Sequence, residues 1–392
     1  MRVLIATVTA GGGHVAAAAA LEEAWCALRP EDTVERLDLV KYFSPLHKRA
    51  YADGYVQIVE HAPELWGLMF SKTDNLRIAR QLSKLRRAFP SNSRKKFAKH
   101  LKQFKPDAVL CTHYASLETL GLLRQKSVAA VSDRRASSPS SAAALAERRY
   151  GTPFVVCVVT DFEAHALWMD ACVDLYCVAA EETKARLVAR GASPEDVVAT
   201  GIPIAPKFSV KPDARAVRKT LGLRDDQPVL LVLSGGFGMG PVAEVLAELD
   251  KVPQLLQTVV VTGRNEDLRR KLAAQTRKHP THVLGYAANM HELMAVADLI
   301  LTKPGGLTSS EALALGKPLL ILNPIPGQEA ANSDFLRERG AAAKANRVED
   351  LPFRIEQLLG SKKLAEMAKA AKALGRPQSA QAVCREVLKR IS

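Results

Sequence analysis

The chain has 392 residues, of which 47% are hydrophobic and 24% are charged, and its formal net charge is +14. This composition predicts a folded protein of two domains and excludes a disordered chain. No apolar run reaches the ~18–20 residues that a membrane-spanning helix needs. The six cysteines have neither C-x-x-C nor zinc-ligand spacing, which indicates reduced thiols in a cytoplasmic protein without a metal site.

The N-terminal half alternates short apolar runs with helical segments. The chain enters a strand at its first residues, so we expect no signal peptide. Alternating strands and helices predict an α/β fold, with a parallel sheet covered on both faces. The predicted strands are Arg2–Val8, Thr33–Leu37, Asp107–Cys111, Phe154–Val159, Leu175–Val178 and Val197–Ala199.

A glycine-rich loop follows the first predicted strand and ends at His14, where an alanine-rich helix begins. Such a loop usually holds a phosphate at the helix N-terminus. The spacing Gly11-x-Gly13-x-x-Ala16, with Asp38 about 20 residues later, also fits the fingerprint of a dinucleotide-binding dehydrogenase. This loop alone leaves both interpretations open.

Most of the positive charge lies in residues 72–105. This segment holds 12 lysines and arginines against one acid, Asp74, so it carries +11 and the other 358 residues carry +3. A local patch of one sign predicts a polyanionic partner, either a nucleic acid or an anionic membrane surface.

A second strand series follows a proline-rich stretch, residues 201–215, which we interpret as an interdomain linker. Residues 125–150, rich in serine and alanine, predict a mobile surface insertion. The chain therefore resolves into two Rossmann-like domains with a ligand cleft between them. The predicted strands of the second series are Val229–Leu233, Thr258–Thr262, His282–Leu284, Leu299–Thr302 and Leu319–Leu322.

Polar residues follow one predicted strand of the first domain, in the stretch TDFEAHALW at residues 160–168. We expect Asp161, His165 and Trp168 to face the cleft if this loop extends beyond the strand end. The alternative for His165 is a structural role in the core.

A second predicted loop precedes a helix that we place near Thr308 or Ser309. Gly305 and Gly306 would let the backbone approach a diphosphate, and the first helical turn offers free N–H groups. Glu311, which we place in that turn, would accept bonds from ribose hydroxyls or would close a capping box. The local pattern leaves these two roles open.

Two further stretches contain candidate polar or glycine residues. Gly236 and Gly238 lie in LSGGFGMGP, which lacks the residue order of a P-loop ATPase. Gln328, Glu329 and Asn332 open another predicted helix and would bind sugar hydroxyls or serve as an ordinary polar helix start.

Together these motifs resemble the diacylglycerol glycosyltransferases of glycosyltransferase family 28, which include monogalactosyldiacylglycerol synthases and processive diacylglycerol β-glucosyltransferases. The resemblance extends over nearly the whole chain. The motifs that carry it, in order, are GGGH (11–14), TDFEAHALW (160–168), TGIPI (200–204), GGFGMGP (235–241), TKPGGLTSSEAL (302–313) and NPIPGQEAAN (323–332).

The resemblance implies a GT-B fold and inverting sugar transfer from UDP-glucose or UDP-galactose to diacylglycerol, without a cofactor or metal ion. It implies an acceptor- and membrane-binding domain at 1–205, a UDP-sugar domain at 206–370 and a C-terminal helix at 371–392 that packs back on the first domain. The implied donor-site residues are Gly236, Gly238, Gly305, Gly306, Leu307, Thr308, Glu311, Gln328, Glu329 and Asn332.

For catalysis the resemblance implies His14 as the general base, with Asp161 or His165 as its partner or substitute. It also implies a protein bound peripherally to the cytoplasmic face of an anionic membrane, which accounts for the basic segment. The residues expected at the acceptor and the membrane are Trp66, Phe70, Arg86, Arg87, Lys95, Lys96 and Trp168.

Three other functions compete with this one. An N-acetylglucosaminyltransferase acting on an undecaprenyl-linked peptidoglycan precursor would share the fold, but TDFEAHALW favours the diacylglycerol enzymes. A dehydrogenase would leave the loops of the second domain without a role. A nucleic-acid-binding protein is disfavoured because the basic segment has few interleaved aromatic residues and no recognition motif.

Overall fold

The computed structural model describes residues 1–9, 12–44, 58, 61–88, 91–134, 152–235 and 240–391. The chain forms two compact units, Met1–Ala205 with Gln378–Ser392 and Pro206–Pro377. Each unit contains a parallel sheet of six strands with helices around it, so the predicted α/β class is confirmed. The first boundary between the two units, after Ala205, falls inside the stretch 201–215 that we interpreted as a linker.

The sheet of the first unit has the strand order β2-β1-β3-β4-β5-β6. Its inner strands are buried on both faces, which explains why the sequence there is continuously apolar rather than alternating. The strands are β1 (Arg2–Thr7), β2 (Thr33–Asp38), β3 (Ala108–Cys111), β4 (Phe154–Val158), β5 (Leu175–Val178) and β6 (Val197–Ala199).

Helices flank this sheet. The helix that follows β3 continues into the stretch predicted as an insertion. The helix that follows β5 is the last α-helix of the segment up to Ala205. The helices are α1 (Gly12–Leu28), α2 (Pro63–Thr73), α3 (Leu76–Ala88), α4 (Asn92–Phe104), α5 (Ala115–Arg134) and α6 (Glu181–Ala189). The remainder of the insertion, 135–150, lies outside the described residues.

The basic segment folds into helices α3 and α4. On α4, Phe97, Leu101 and Phe104 are buried in the core of the first unit, while most lysines of the helix lie on its exposed side. The segment is therefore an amphipathic cover of the core with a cationic outer face. Within the described residues, no helix is both long and apolar enough to cross a bilayer.

The second unit has the strand order β12-β11-β10-β7-β8-β9. Its last strand in the chain, at the edge of the sheet, was not predicted. The strands are β7 (Val229–Leu233), β8 (Gln257–Val261), β9 (Thr281–Leu284), β10 (Leu299–Thr302), β11 (Leu319–Leu322) and β12 (Ala342–Ala345). The helices are α7 (Ala214–Leu221), α8 (Val242–Leu249), α9 (Glu266–Ala273), α10 (Met290–Val296), α11 (Gly306–Ala314), α12 (Gln328–Glu338), α13 (Leu351–Leu358) and α14 (Lys362–Leu374).

The last helix, α15 (Ser379–Ile391), belongs to the first unit. Its buried Val383 and Val387 join the same core cluster as Leu21 and Trp25 of α1. The return to the first unit occurs after Pro377 rather than at residue 371, because α14 packs against α11 of the second unit.

Candidate active site

His14 lies in the first turn of α1, next to the ends of two neighbouring strands. Its Nδ1 is 2.8 Å from the carbonyl oxygen of Thr112, which follows β3, and 2.9 Å from Oγ1 of Thr160, which follows β4. A carbonyl oxygen only accepts hydrogen bonds, so Nδ1 carries the hydrogen and Nε2 carries the lone pair of the neutral ring. The backbone is held as well, since Thr112 Oγ1 donates to the carbonyl of His14 at 3.0 Å.

The surroundings of His14 favour its neutral form. Burial lowers the pKa of His14 below its usual 6.5, while the charge of Asp161 and the bond to the Thr112 carbonyl act in the opposite direction. His113 packs edge-on against the ring at 4.8 Å, and burial together with His14 holds the pKa of His113 well below its usual value. A neutral histidine beside a carboxylate can accept a proton, and the carboxylate stabilises the resulting cation.

Both ring nitrogens of His165 take part in hydrogen bonds within the protein. Nδ1 accepts from the N–H of Leu167 at 3.1 Å, and Nε2 donates to the carbonyl of Phe70 at 3.0 Å. The ring therefore offers no lone pair for proton abstraction in this structure, and its geometry fits the structural alternative. Within the part of the chain that the structure describes, His14 thus keeps a lone pair on Nε2 whereas His165 keeps none, and Asp161 stays a predicted partner or substitute.

Trp168 is only 4% exposed and lies in the core of the first unit, with its ring centroid 6.3 Å from that of His14. A side chain this buried cannot contact a membrane surface, so its assignment to the membrane is wrong. It lies instead in a cluster of rings with His113 and Tyr114 beside His14. The cluster was missed, although the polar stretch THY directly after a buried strand was a usable signal.

The outer surface of α2 exposes aliphatic rather than aromatic side chains. Leu65, Leu68 and Met69 are about half exposed, at 51%, 52% and 46%. The two predicted residues, Trp66 and Phe70, are half-buried, and the ring of Phe70 packs on that of His165. The predicted apolar surface is therefore present on α2, where Leu68 and Met69, which belong to the same predicted apolar stretch as Trp66 and Phe70, form it together with Leu65.

The predicted basic residues fall into three groups. Lys95 and Lys96 are exposed on α4. Arg86 is half-buried and pairs with Glu118 of α5, with its Nε at 2.6 Å from the carboxylate. The side chain of Arg87 lies outside the described residues. Lys95 and Lys96 are thus directly available to an anionic surface, whereas Arg86 is paired with Glu118.

In the second unit a cavity of about 40 Å³ opens where the strand order reverses between β7 and β10. Its lining includes Leu233, Lys303 and Asn323, each at the carboxyl end of a strand, and Gly240, whose φ is +112°. Ligands of parallel sheets bind at this kind of crevice. The predicted Gly236 and Gly238 lie outside the described residues, in the loop just before Gly240.

Helix α11 begins at Gly306, earlier than predicted, with Gly305 as its N-cap. The first-turn N–H groups of Gly306, Leu307 and Thr308 are the ones that a helix leaves without intrahelical partners. Among the described residues, no atom lies within 4 Å of where a Cβ at Gly305 would stand, so within this part of the chain the space in front of the helix end is open. The loop and helix can receive an anionic group there.

Glu311 lies in the second turn of α11, and the first turn contains no acidic residue. The capping-box interpretation is therefore wrong, because Thr308 occupies the position that a capping carboxylate would need. Burial raises the pKa of Glu311 to about 7, although the positive charge of Lys207 opposes this shift. The side chain is thus a carboxyl group that titrates near neutral pH.

Helix α12 begins with the polar residues that we predicted for sugar binding, and two of them form hydrogen bonds with backbone groups of the same unit. Glu329 accepts the N–H of Ile325 at 2.8 Å, which closes the turn before the helix. Asn332 is fully buried and donates to the carbonyl of Pro304 at 3.0 Å. Asn332 therefore holds the loop in front of α11, while Gln328 and Glu329 remain partly exposed.

Among the described residues, no group of three or more histidine, cysteine, aspartate or glutamate side chains is arranged to hold a metal ion.

Asp38, the acid of the dinucleotide fingerprint, accepts hydrogen bonds from the N–H groups of Thr9 and Val40. Its carboxylate thereby closes the turn after β2.

Comparison with known proteins adds a second line of evidence. The family model described as monogalactosyldiacylglycerol (MGDG) synthase matches residues 14–131 and 139–204, and the glycosyltransferase family 28 C-terminal domain matches 229–383. A Bacillus cereus protein named processive diacylglycerol β-glucosyltransferase is 30% identical over 401 residues, which cover 99% of this chain and 93% of that protein. The chain belongs to the diacylglycerol glycosyltransferase family. The predicted family is confirmed.

A Bacillus pumilus member of this family, with the same printed name, is 37% identical over 234 residues. That match covers 59% of this chain and 61% of the relative. The gap between the two matched segments of the MGDG synthase model, 132–138, falls within the predicted insertion. The model matches the rest of residues 125–150, so only this short part of the predicted insertion lies outside the family pattern.

Solved structures show the fold. MurG of Acinetobacter baumannii has a TM-score of 0.59 at 18% identity, with 99% of both chains covered. The Staphylococcus aureus protein MnaA, in a co-structure with UDP, has a TM-score of 0.60 at 14% identity, with 100% of this chain and 97% of that chain covered. These likenesses confirm the GT-B fold.

Proposed function

We propose that this protein is an inverting glycosyltransferase that moves glucose or galactose from a UDP-sugar to diacylglycerol and forms a β-glycosyldiacylglycerol. The observation that carries the proposal is the match over 99% of the chain to a relative named processive diacylglycerol β-glucosyltransferase. The hydrogen bonds of His14 and the open N-terminus of α11 support it, because the reaction needs a base and a site for a departing nucleotide.

The proton of the acceptor hydroxyl goes to Nε2 of His14. As the acceptor oxygen bonds to the anomeric carbon, the bond from that carbon to UDP breaks, and displacement from the opposite side inverts the configuration. The carbonyl of Thr112 keeps the hydrogen on Nδ1 and the lone pair on Nε2. The charge of Asp161, which acts to raise the pKa of His14, stabilises the imidazolium that forms.

The negative charge that develops on UDP is met by fixed dipoles and a cation. The first-turn amides of α11 and the helix dipole are already oriented before the reaction, so they stabilise this charge without rearrangement. Lys303 lines the crevice beside them, at the end of β10. Glu311 binds the ribose hydroxyls, and Gln328 and Glu329 bind the sugar.

We place the reaction at the cytoplasmic face of an anionic membrane, with the protein attached peripherally through α2 to α4. The exposed Leu65, Leu68 and Met69 supply apolar contact with the lipid, and the outer face of α4 supplies positive charge. No nucleic acid is needed to account for the basic segment.

Charge removal on α4 is expected to weaken membrane binding. Lys95→Gln with Lys96→Gln should reduce binding to vesicles that contain phosphatidylglycerol by about 30-fold, since each basic side chain near such a surface contributes about 1 kcal/mol. Co-sedimentation at low and high salt measures this. Lys362→Gln with Lys363→Gln, an exposed lysine pair at the start of α14, is the matched control and should bind normally. Equal loss in both double variants would contradict the proposed surface.

The binding of UDP-glucose, whose diphosphate has no group that titrates near pH 7, is expected to depend on the ionisation of Glu311. Its pKa of about 7 leaves it partly protonated at neutral pH, and ribose hydroxyls that donate to the carboxylate favour the charged form. Binding should therefore release about half a proton at pH 7, and affinity should fall as the pH falls from 8 to 6. Calorimetry in two buffers of different ionisation enthalpy measures the proton release.

Two single substitutions serve as the test and the control for this titration. Glu311→Gln should bind UDP-glucose with little pH dependence and no proton release over this range. Glu244→Gln, on the exposed side of α8, should behave as the wild-type protein. Proton release that persists in Glu311→Gln would remove this residue from the nucleotide site.

The function itself is tested by offering one donor at a time. We expect UDP-glucose or UDP-galactose with diacylglycerol vesicles to give lipids that carry one or more added hexoses, detected by mass spectrometry. Parallel reactions contain UDP-N-acetylglucosamine with an undecaprenyl-linked peptidoglycan precursor. Transfer only in the latter reactions would replace the proposal with its alternative, and absence of transfer in all of them would refute it.

A further inference from the structure

Asp74 is the one acid in the strongly basic stretch 72–105, and it follows directly after α2. Its side chain is 20% exposed. An acid on a solvated basic surface would be expected to pair with neighbouring lysines, but this carboxylate instead points to residues distant in the chain. Its contacts therefore serve a purpose other than local charge balance.

The carboxylate of Asp74 holds the loop between β4 and β5. Oδ1 accepts a hydrogen bond from the N–H of Ala166 at 2.7 Å, and Oδ2 accepts one from Nη2 of Arg190 at 2.8 Å. Arg190, just after α6, also donates from Nη1 to the carbonyl of Ala164 at 2.5 Å. The two side chains thus fix the backbone on both sides of His165.

His165 makes the second connection between this loop and α2. Its Nε2 donates to the carbonyl of Phe70 at 3.0 Å, and the two rings lie 4.4 Å apart. Thr73 Oγ1 lies 3.3 Å from the same nitrogen. The last turn of α2 is therefore bonded to the loop through both its side chains and its backbone.

The same loop also lies beside the ring of His14. Thr160, at its start, places Oγ1 at 2.9 Å from Nδ1 of His14, and Trp168, at its end, packs near that ring. The loop thus lies beside the ring of His14 at both of its ends and is hydrogen-bonded between them to Asp74 and to the last turn of α2.

We infer that Asp74 is a positioning residue that couples helix α2 to the loop holding His14, so that lipid contact on α2 changes the environment of the base. This inference rests on the proposed function for its catalytic consequence. A misplacement of about 1 Å at a catalytic group can lower turnover by about 100-fold. We therefore expect Asp74→Asn to lower turnover on vesicle-bound diacylglycerol by about 10-fold to 100-fold.

The chain offers a closely matched control in Asp174. This side chain, 24% exposed, pairs with Arg124 at 2.7 Å through one oxygen and accepts the N–H of Val155 at 2.9 Å through the other. Arg124 also donates to a backbone carbonyl, that of Cys172. Asp174→Asn removes the same kind of ion pair from the same unit without touching α2.

The test compares the two variants in two measurements. Both should lower the melting temperature by a similar amount and bind UDP normally, but only Asp74→Asn should lower turnover on vesicles. In the second measurement, NMR of ¹³C-labelled histidine rings follows the titration of His14 with and without bicelles that contain phosphatidylglycerol. The bicelles should shift the His14 midpoint in the wild type and in Asp174→Asn, but not in Asp74→Asn.

The NMR measurement does not depend on activity, so it separates the coupling from the proposed function. A wild-type midpoint that bicelles leave unchanged, or that moves equally in Asp74→Asn, would overturn the coupling. Turnover that falls equally in both variants would assign Asp74 a merely structural role. A wild-type protein that transfers no sugar to diacylglycerol would refute the proposed function while the titration still decides the coupling.

Discussion

His14→Ala is expected to lower turnover by about 100-fold or more while the affinity for UDP stays nearly unchanged. The reason is that the ring, held through Nδ1 by Thr112 and Thr160, presents Nε2 as the proton acceptor. Loss of a general base typically costs 10²-fold to 10⁴-fold in rate. Steady-state kinetics and a separate measurement of UDP binding distinguish an effect on turnover from one on binding.

The pH dependence should change in the same variant. Because burial holds the pKa of His14 below 6.5, the wild-type turnover at saturating UDP-sugar should be constant near pH 7 and should fall only at lower pH, as the ring takes up a proton. The residual rate of His14→Ala should lack this acid limb. His100→Ala is the control, since His100 is another half-buried histidine of the first unit and pairs with Glu35. Loss of UDP affinity by the same factor as turnover would assign His14 to binding instead.

Gly375→Ala is expected to destabilise the second unit by about 3 kcal/mol, which corresponds to a decrease of roughly 6–12 °C in melting temperature. Gly375 ends α14, and a Cβ there would overlap the carbonyl oxygen of Leu313 in α11. The overlap is with backbone, so no side-chain rotation relieves it. Because α11 carries Glu311, affinity for UDP should fall as well.

The matched variant is Gly305→Ala, in the same unit. A methyl group there meets no atom within 4 Å, and the backbone angles of Gly305 suit alanine, so the melting temperature should stay unchanged. UDP should nevertheless bind more weakly, because the methyl group enters the space in front of α11. If Gly375→Ala melts at the wild-type temperature, the packing of α14 on α11 described above is incorrect.

The strands could be predicted because they are short, continuous apolar runs between helical segments. The exception, β12, consists of Ala342–Ala345, which has no β-branched or aromatic residue and gains its strand form by pairing with β11 at the sheet edge. The first turn of α11 was also misplaced. Glycine at its N-cap and N1 position gave no side-chain capping signal, so the helix was expected two or three residues later.

Within the site, residue types were predictable and their partners were not. The GGGH motif indicated His14, but Thr112, whose carbonyl fixes its tautomer, and Thr160, whose hydroxyl lies beside the same nitrogen, are 98 and 146 residues away along the chain. The role of His165 could not be decided for the same reason, since its partner Phe70 is 95 residues distant. Sequence spacing shows which residues share a loop, whereas only the fold shows which loops meet.

The position of α15 has a consequence for how the protein is made. The helix that carries His14 packs its buried Leu21 and Trp25 in one cluster with Val383 and Val387. During synthesis, α1 leaves the ribosome before the second unit and its packing partner α15 leaves after it. The helix that carries His14 therefore keeps an incomplete apolar face until residues 378–391 emerge, and the nascent first unit acquires its full core only after the whole second unit has been translated.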